Sequence, residues 1–362
     1  MIPAGDRIRR LWIGRGVGTW DNFRAACATS DDEKSRSKPM SFRFRASTPS
    51  RLRVQRLAAF LLIAAARSLP ALADDPAGAT RPAATLAGRL DPLIRAYKGK
   101  VAIAVKNLKT GEEFHHRGGE VMPTASLIKF PVMVEAYRQA SQGKIDLDAR
   151  VALRVEDKVP GSGVLTDHFS AGDRIALKDA VRLMIMFSDN TATNLVLDAI
   201  GIGATAATME SLGYPNTKIH SKVFRRDTSV FPERSKKYGL GSTTADEMVR
   251  LCQALHEHRL VSPAASDRML EHLRTCDDRD KFPRGLPYGT KLAFKTGSVD
   301  DARTCAGLIE CPGGTVAVCV LTCENEDRRW VPDNAGNLLC AEVARAVFDH
   351  FSVTPPASPK PH

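Results

Sequence analysis

The chain has 362 residues, 43% of them hydrophobic and only 6% aromatic, enough apolar material for one large domain or two small ones, so disorder is not the default. Its formal net charge of +11 sits at the front: residues 1–73 hold 14 of the 52 lysines and arginines and 5 of the 41 acidic residues, leaving 38 against 36 in the rest. A nucleic-acid or anionic-membrane partner loses its main support, because no basic stripe interleaved with aromatics follows.

Arg51, Arg53 and Arg56 precede the apolar run Leu57 to Ala66, and Ala71-Leu72-Ala73 then offers small residues at the cleavage positions. This is the pattern of a secretory signal peptide over 40–73, cleaved after Ala73, with 1–39 as an upstream extension before Met40. The apolar run is about half of what a bilayer span needs, so no stable membrane anchor is expected and the product is exported, periplasmic or secreted, from a bacterium. Residues 74–85 are rich in Pro, Ala and Gly and read as a flexible lead-in.

A helix is expected over Leu86 to Tyr97, then strands at Val101 to Val105 and Glu112 to His116 joined by the turn Asn107 to Gly111. From Ala125 to about Arg274 apolar positions recur at helical spacing, in Val132–Tyr137, Leu177–Phe187, Thr191–Ile200 and Met248–Leu255. Leu292–Thr296, Thr304–Ile309 and Val316–Thr322 return to strand character, Ala335–Phe351 closes with a helix, and a Pro-rich tail over 353–362 is expected to be disordered. If the first and last strands share one sheet, the helical block is an insertion over about 120–288, with a cleft where the two parts meet.

Seven of the eight cysteines follow residue 73: Cys252, Cys276, Cys305, Cys311, Cys319, Cys323 and Cys340. They read as buried small hydrophobes with one or two bridges. No C-x-x-C pair occurs, and His256-Glu-His258 reads as an exposed helix end, so neither metal nor cofactor is expected.

Three short motifs follow in order: Ser126-Leu-Ile-Lys129, Ser188-Asp-Asn190 and Lys295-Thr-Gly297. Each alone is weak, since Ser35-Arg-Ser-Lys38, Ser141-Gln-Gly-Lys144 and Lys109-Thr-Gly111 match by chance. Residues three apart on a helix share a face, so Lys129 can reach the Ser126 hydroxyl, and a desolvated amine can take its proton. Thr124-Ala-Ser126 reads as a helix N-terminus, and Pro131 should either kink or tighten the first turn. Ser188 and Asn190 are expected on a loop facing the cleft, with capping by Asp189 or Asn190 as the structural alternative. Lys295 would attract a substrate carboxylate and Gly297 would let the backbone come close. The N–H groups of Ser126 and Ser298 are the candidate oxyanion donors.

The ordered set resembles the signature of class A β-lactamases and penicillin-binding proteins, over nearly all of residues 86–352. The resemblance implies an α/β (α+β) fold: an antiparallel sheet flanked by N- and C-terminal helices, with an inserted all-helical subdomain. It implies Ser126 as nucleophile, Lys129 as base or proton relay, and Ser188 as proton shuttle to the leaving nitrogen. Asn190 would bind the substrate amide, and Lys295, Thr296 and Ser298 its carboxylate and acyl oxygen. The implied partner is a small β-lactam or peptidoglycan-like substrate, met by a monomer.

The sequence departs from the family in one place. Class A enzymes free the acyl-enzyme with a glutamate in an E-x-x-L-N setting, and the corresponding stretch, Lys222 to Gly239, has only Asp227 and Glu233 as carboxylates. Either is a candidate to activate water, although Glu233 can equally pair with Arg234 or a nearby lysine. Asn194, which in the family helps hold that glutamate, lacks an evident partner, and Arg303 is a shifted candidate for the family's arginine. The expected activity is β-lactam hydrolysis through an acyl-enzyme on Ser126; the alternative is a D-Ala-D-Ala carboxypeptidase, another serine hydrolase, or a penicillin-binding protein that deacylates slowly.

Overall fold

The computed structural model describes residues 85–352, so the leader, most of the lead-in and the tail fall outside the described residues. Helix α1 (Leu86–Ala96) starts where the Thr85 hydroxyl accepts the Gly88 N–H at 3.1 Å, and it turns Leu86 and Leu90 inward. Strands β1 (Lys100–Asn107) and β2 (Glu113–His116) follow. Asn107 shapes the turn between them, its side-chain oxygen accepting from the N–H groups of Lys109 and Thr110, with Gly111 at φ +77°. The chance motif Lys109-Thr-Gly111 is this turn.

The chain then leaves the sheet for the helical block. In order come β3 (Met122–Pro123), α2 (Lys129–Ser141), β4 (Arg150–Ala152), α3 (Leu165–His168), β5 (Arg174–Ala176), α4 (Leu177–Met186), α5 (Asn190–Ile200) and α6 (Ile202–Ser211). After these come β6 (Lys218–Ile219), α7 (Pro232–Tyr238), β7 (Gly241–Thr243), α8 (Ala245–His256), α9 (Pro263–Arg274) and α10 (Phe282–Gly285). The block is not purely helical: β3, β7 and β6 form one small sheet and β4 with β5 a second. Strands of two or three residues are too short to show a period-two pattern, which is why the sequence reads as helix and loop there.

The chain returns through β8 (Leu292–Val299), β9 (Ala302–Cys311) and β10 (Gly314–Cys323), and ends in α11 (Ala335–Ser352). The main sheet has the order β2-β1-β10-β9-β8 and is antiparallel throughout, with Ile103 opposite Val320 and Lys295 opposite Ala306. The fold is therefore the expected antiparallel sheet with an inserted, mainly helical region. Successive side chains of a strand point to opposite faces. Val101, Ile103, Val105, Val316, Val318 and Val320 meet α1 and α11, whereas Ala102, Ala104, Ala317, Cys319 and Leu321 meet the helical block. Both faces are covered, so β1 reads as an unbroken apolar run.

The expected bridges are not formed: all seven described cysteines are free thiols, and six are buried. Each serves as a small apolar side chain, and burial pushes the Cys252 and Cys340 thiols up to about 12.

Candidate active site

The nucleophile candidate lies in a tight turn. Ala125–Ile128 forms one 3-10 turn that runs straight into α2, and Pro131 is the third residue of α2, close to the helix start where proline is best tolerated. The turn is tightened and not kinked. Ala125 just before the serine is held at φ +45°. Thr124 is fixed on both sides: its N–H donates to Gly241 O at 3.0 Å and its carbonyl accepts the Thr304 hydroxyl at 2.8 Å. Ser126 thus lies at the N-terminal end of α2, where free N–H groups favour developing negative charge.

Lys129 is completely buried. Its Nζ lies 2.6 Å from the Ser188 carbonyl, 2.8 Å from Asn190 Oδ1 and 3.3 Å from Ser188 Oγ, so its partners are on the second motif and not on Ser126. Burial lowers its proton affinity well below that of an ordinary lysine, the positive charge of Lys295 lowers it further, and Asp189 opposes both. A neutral amine has two N–H groups, which the Ser188 carbonyl and Asn190 use. Its lone pair is left to accept a proton.

The second motif owes its shape to Asp189. Its carboxylate caps α5 by accepting Ala192 N–H at 2.8 Å, as one structural reading of the sequence allowed, and also takes the N–H groups of Val164 and Leu165. Anchored there, Ser188 adopts φ +54° and places its hydroxyl between two amines, 3.3 Å from Lys129 Nζ and 3.0 Å from Lys295 Nζ. Asn190 gives one N–H to Pro160 O at 2.9 Å, and its side-chain amide lines the cleft.

Lys295 is fully buried although β8 is an edge strand. Burial lowers its proton affinity, partly offset by Cys276 and Asp278, with Lys281 adding to the lowering. Beside it β8 and the serine turn meet backbone to backbone: a Cβ on Gly297 would lie 2.4 Å from Thr124 O and 2.8 Å from Leu127 N. Ser126, Ser188, Asn190, Lys295, Thr296, Gly297 and Ser298 all line one cleft of about 940 Å³.

Three other candidates lie elsewhere. Asp227 is exposed and 3.8 Å from Arg225, and Glu233 is exposed and 2.7 Å from Lys236, the nearby-lysine alternative; neither lines the cleft. Arg303 is buried and donates to the carbonyls of Val299, Ala302 and Arg329 with Trp330 stacked on it, so it is a structural cation outside the cleft. Among the described residues the arginines that line the cleft are Arg226 and Arg279, and a buried cation, Lys281, pairs at 2.6 Å with the cleft-lining Asp278. Burial pushes the Asp278 carboxyl up, but Lys281, with help from Thr296 and the Asp280 backbone, holds it below the usual carboxylate range. Nothing in the sequence singles out this pair beyond its three-residue spacing.

Asn194 does have a partner. Its Oδ1 accepts Val223 N–H at 2.8 Å and its Nδ2 donates to Val223 O at 3.1 Å. The place the resemblance assigns to a glutamate held by this asparagine is thus taken by a buried valine. Asp277, Asp278, Asp280 and Asp300, the carboxylates that line the cleft, belong to the segments flanking β8. Next to Val223, Phe224 is held at φ +57°, a conformation that costs a bulky residue on the order of 1–3 kcal/mol, while remaining 62% exposed.

Comparison with known proteins gives consistent results. The profile of the Beta-lactamase enzyme family matches residues 85–351. A beta-lactamase of Streptomyces cellulosae is 30% identical over 221 residues, 60% of this chain and 68% of that one. Beta-lactamase L2 of Stenotrophomonas maltophilia is 30% identical over 158 residues, 42% of this chain and 51% of its own. Among solved structures, a beta-lactamase from Sphaerobacter thermophilus superposes with a TM-score of 0.65 at 32% identity, covering 75% of this chain and 98% of that one. PBP-A superposes at 0.64 with 25% identity, covering 74% and 95%, and a mutant of PBP-A has been solved as an acyl-enzyme complex with penicillin G.

Proposed function

Because the chain belongs to the Beta-lactamase enzyme family, we propose that it is a serine hydrolase that opens a β-lactam amide through an acyl-enzyme on Ser126. The observation that carries this is Lys129: a buried amine with lowered proton affinity, one helical turn from Ser126 and 3.3 Å from the Ser188 hydroxyl. Lys129 takes the Ser126 proton as the serine oxygen bonds to the carbonyl carbon. The negative oxygen is met by the N–H groups of Ser126 and Ser298. When the C–N bond breaks, the leaving nitrogen takes a proton from Ser188, which is resupplied from Lys129. Lys295, Thr296 and Ser298 hold the substrate carboxylate, and the side chain of Asn190 holds its side-chain amide. Water then cleaves the ester and restores Ser126. The enzyme acts as an exported monomer, a reading supported by the leader pattern before Ala73.

Val223 favours a second reading for the last step. With Asn194 holding the backbone of a residue whose side chain is apolar, water has no carboxylate from that residue beside it, as in a penicillin-binding protein or peptidoglycan carboxypeptidase that releases β-lactam adducts slowly. Mixing the protein with nitrocefin while following hydrolysis and intact mass separates these readings. A one-to-one adduct or sustained turnover, each abolished in Ser126→Ala, is expected. Hydrolysis undiminished in Ser126→Ala would sink the nucleophile assignment.

A further inference from the structure

We propose that Phe224 determines specificity at the cleft, as an apolar platform that selects a flat aryl substituent on the substrate amide; this rests on the acylation reading above. Three observations place it there.

The first is conformational. Ala125, Ser188 and Phe224 are three of the seven described non-glycine residues with positive φ, and all three line the cleft. Ala125 and Ser188 lie within the reacting groups, which accounts for their strain. Phe224 does not, and at 62% exposure its ring gains little by burial in return. Its conformation is imposed from outside. Asn194 grips both the N–H and the C=O of Val223, and Arg225 N–H closes a turn onto Lys222 O, so the peptides on either side of Phe224 are fixed.

The second is where the ring is sent. A Cβ built on Gly161 would lie 3.4 and 3.6 Å from two Phe224 ring atoms and 2.7 Å from Asn190 Nδ2. The ring therefore lies over Gly161, beside the side-chain amide of Asn190 on the wall of the cleft. An amide held at Asn190 must project its substituent past this ring.

The third is a second aromatic in the same cleft. Trp330, 65% exposed, lines the same cleft from the β8 side, steadied by Asp300, which accepts its indole N–H at 2.8 Å, and by Arg303 4.9 Å from its ring. Single exposed apolar side chains are ordinary on a protein surface. Two large exposed aromatics lining one cleft match a planar apolar group in polarity.

The test uses two penicillins that share bicycle and amide and differ by one phenyl group, benzylpenicillin and 6-acetamidopenicillanate, with second-order acylation read by intact mass. The wild type prefers the phenyl compound. Phe224→Ala lowers the ratio of the two rate constants by about tenfold, and Phe224→Tyr retains it. A ratio that stays within twofold of wild type in Phe224→Ala overturns the proposal even if both rates fall, because a loop prop would affect both probes alike. Should the wild type form no adduct with either probe, the acylation reading fails separately. Equilibrium titration with phenylacetylglycine against acetylglycine then decides Phe224: loss of the aryl preference in Phe224→Ala supports it, and unchanged preference overturns it.

Discussion

A fully buried amine that gives its N–H groups to two carbonyl oxygens and faces a second cation releases its proton more readily than a lysine in water. For Lys129 burial is the larger cause and Lys295 the next, so acylation should rise with pH through a midpoint well below 10.5. Removing the neighbouring cation favours the protonated form, and Lys295→Ala should move that midpoint upward; a midpoint that stays put in a pH profile of acylation would sink this account of Lys129. Lys129→Ala should lose about 10²- to 10⁴-fold in acylation together with the rising limb. Val223→Glu puts a carboxylate on the cleft-lining residue whose backbone Asn194 holds, and adduct decay followed by mass should speed up tenfold or more. The three motifs were legible in the sequence because their chemistry demands particular side chains at fixed spacing. Val223 and Phe224 were not, since their positions follow from backbone hydrogen bonds made by a residue nearly thirty positions earlier.

At the scale of elements, the site depends on β8 touching the serine turn without side chains between them. Gly297→Ala drives a methyl group into Thr124 O, so either the strand or the turn must move. It should cost about 1–3 kcal/mol of stability, measured by denaturant unfolding, and reduce acylation by more than tenfold even where the variant remains folded. The long elements were readable from periodicity: α1, β1, α5, α8, the last three strands and α11 all carry runs long enough to show it. What the sequence withheld were the short strands β3, β6 and β7. They exist because Met122 lies opposite Thr243 and Lys218 opposite Ser242 across long stretches of chain, a tertiary fact with no local signature. The 3-10 character of the serine turn was likewise open, since Pro131 is compatible with either a kink or a tight turn.

For the molecule as a whole, one sheet serves two cores, and loosening either face exposes the other. With its thiols free, the fold should unfold in one transition at a midpoint that agrees within about 2 °C with and without dithiothreitol; a clear drop under reductant would reveal a bridge. The sheet order has another consequence. Strand β1 is finished early in synthesis, yet its neighbour β10 pairs Lys100 with Cys323, more than two hundred residues later. Until then α1 and the helical block are already made, but one ladder of β1 is still open, so closure of the sheet is late and slow. Since β10 lies between β1 and β9, the main sheet stays in two pieces for as long as that last strand is missing.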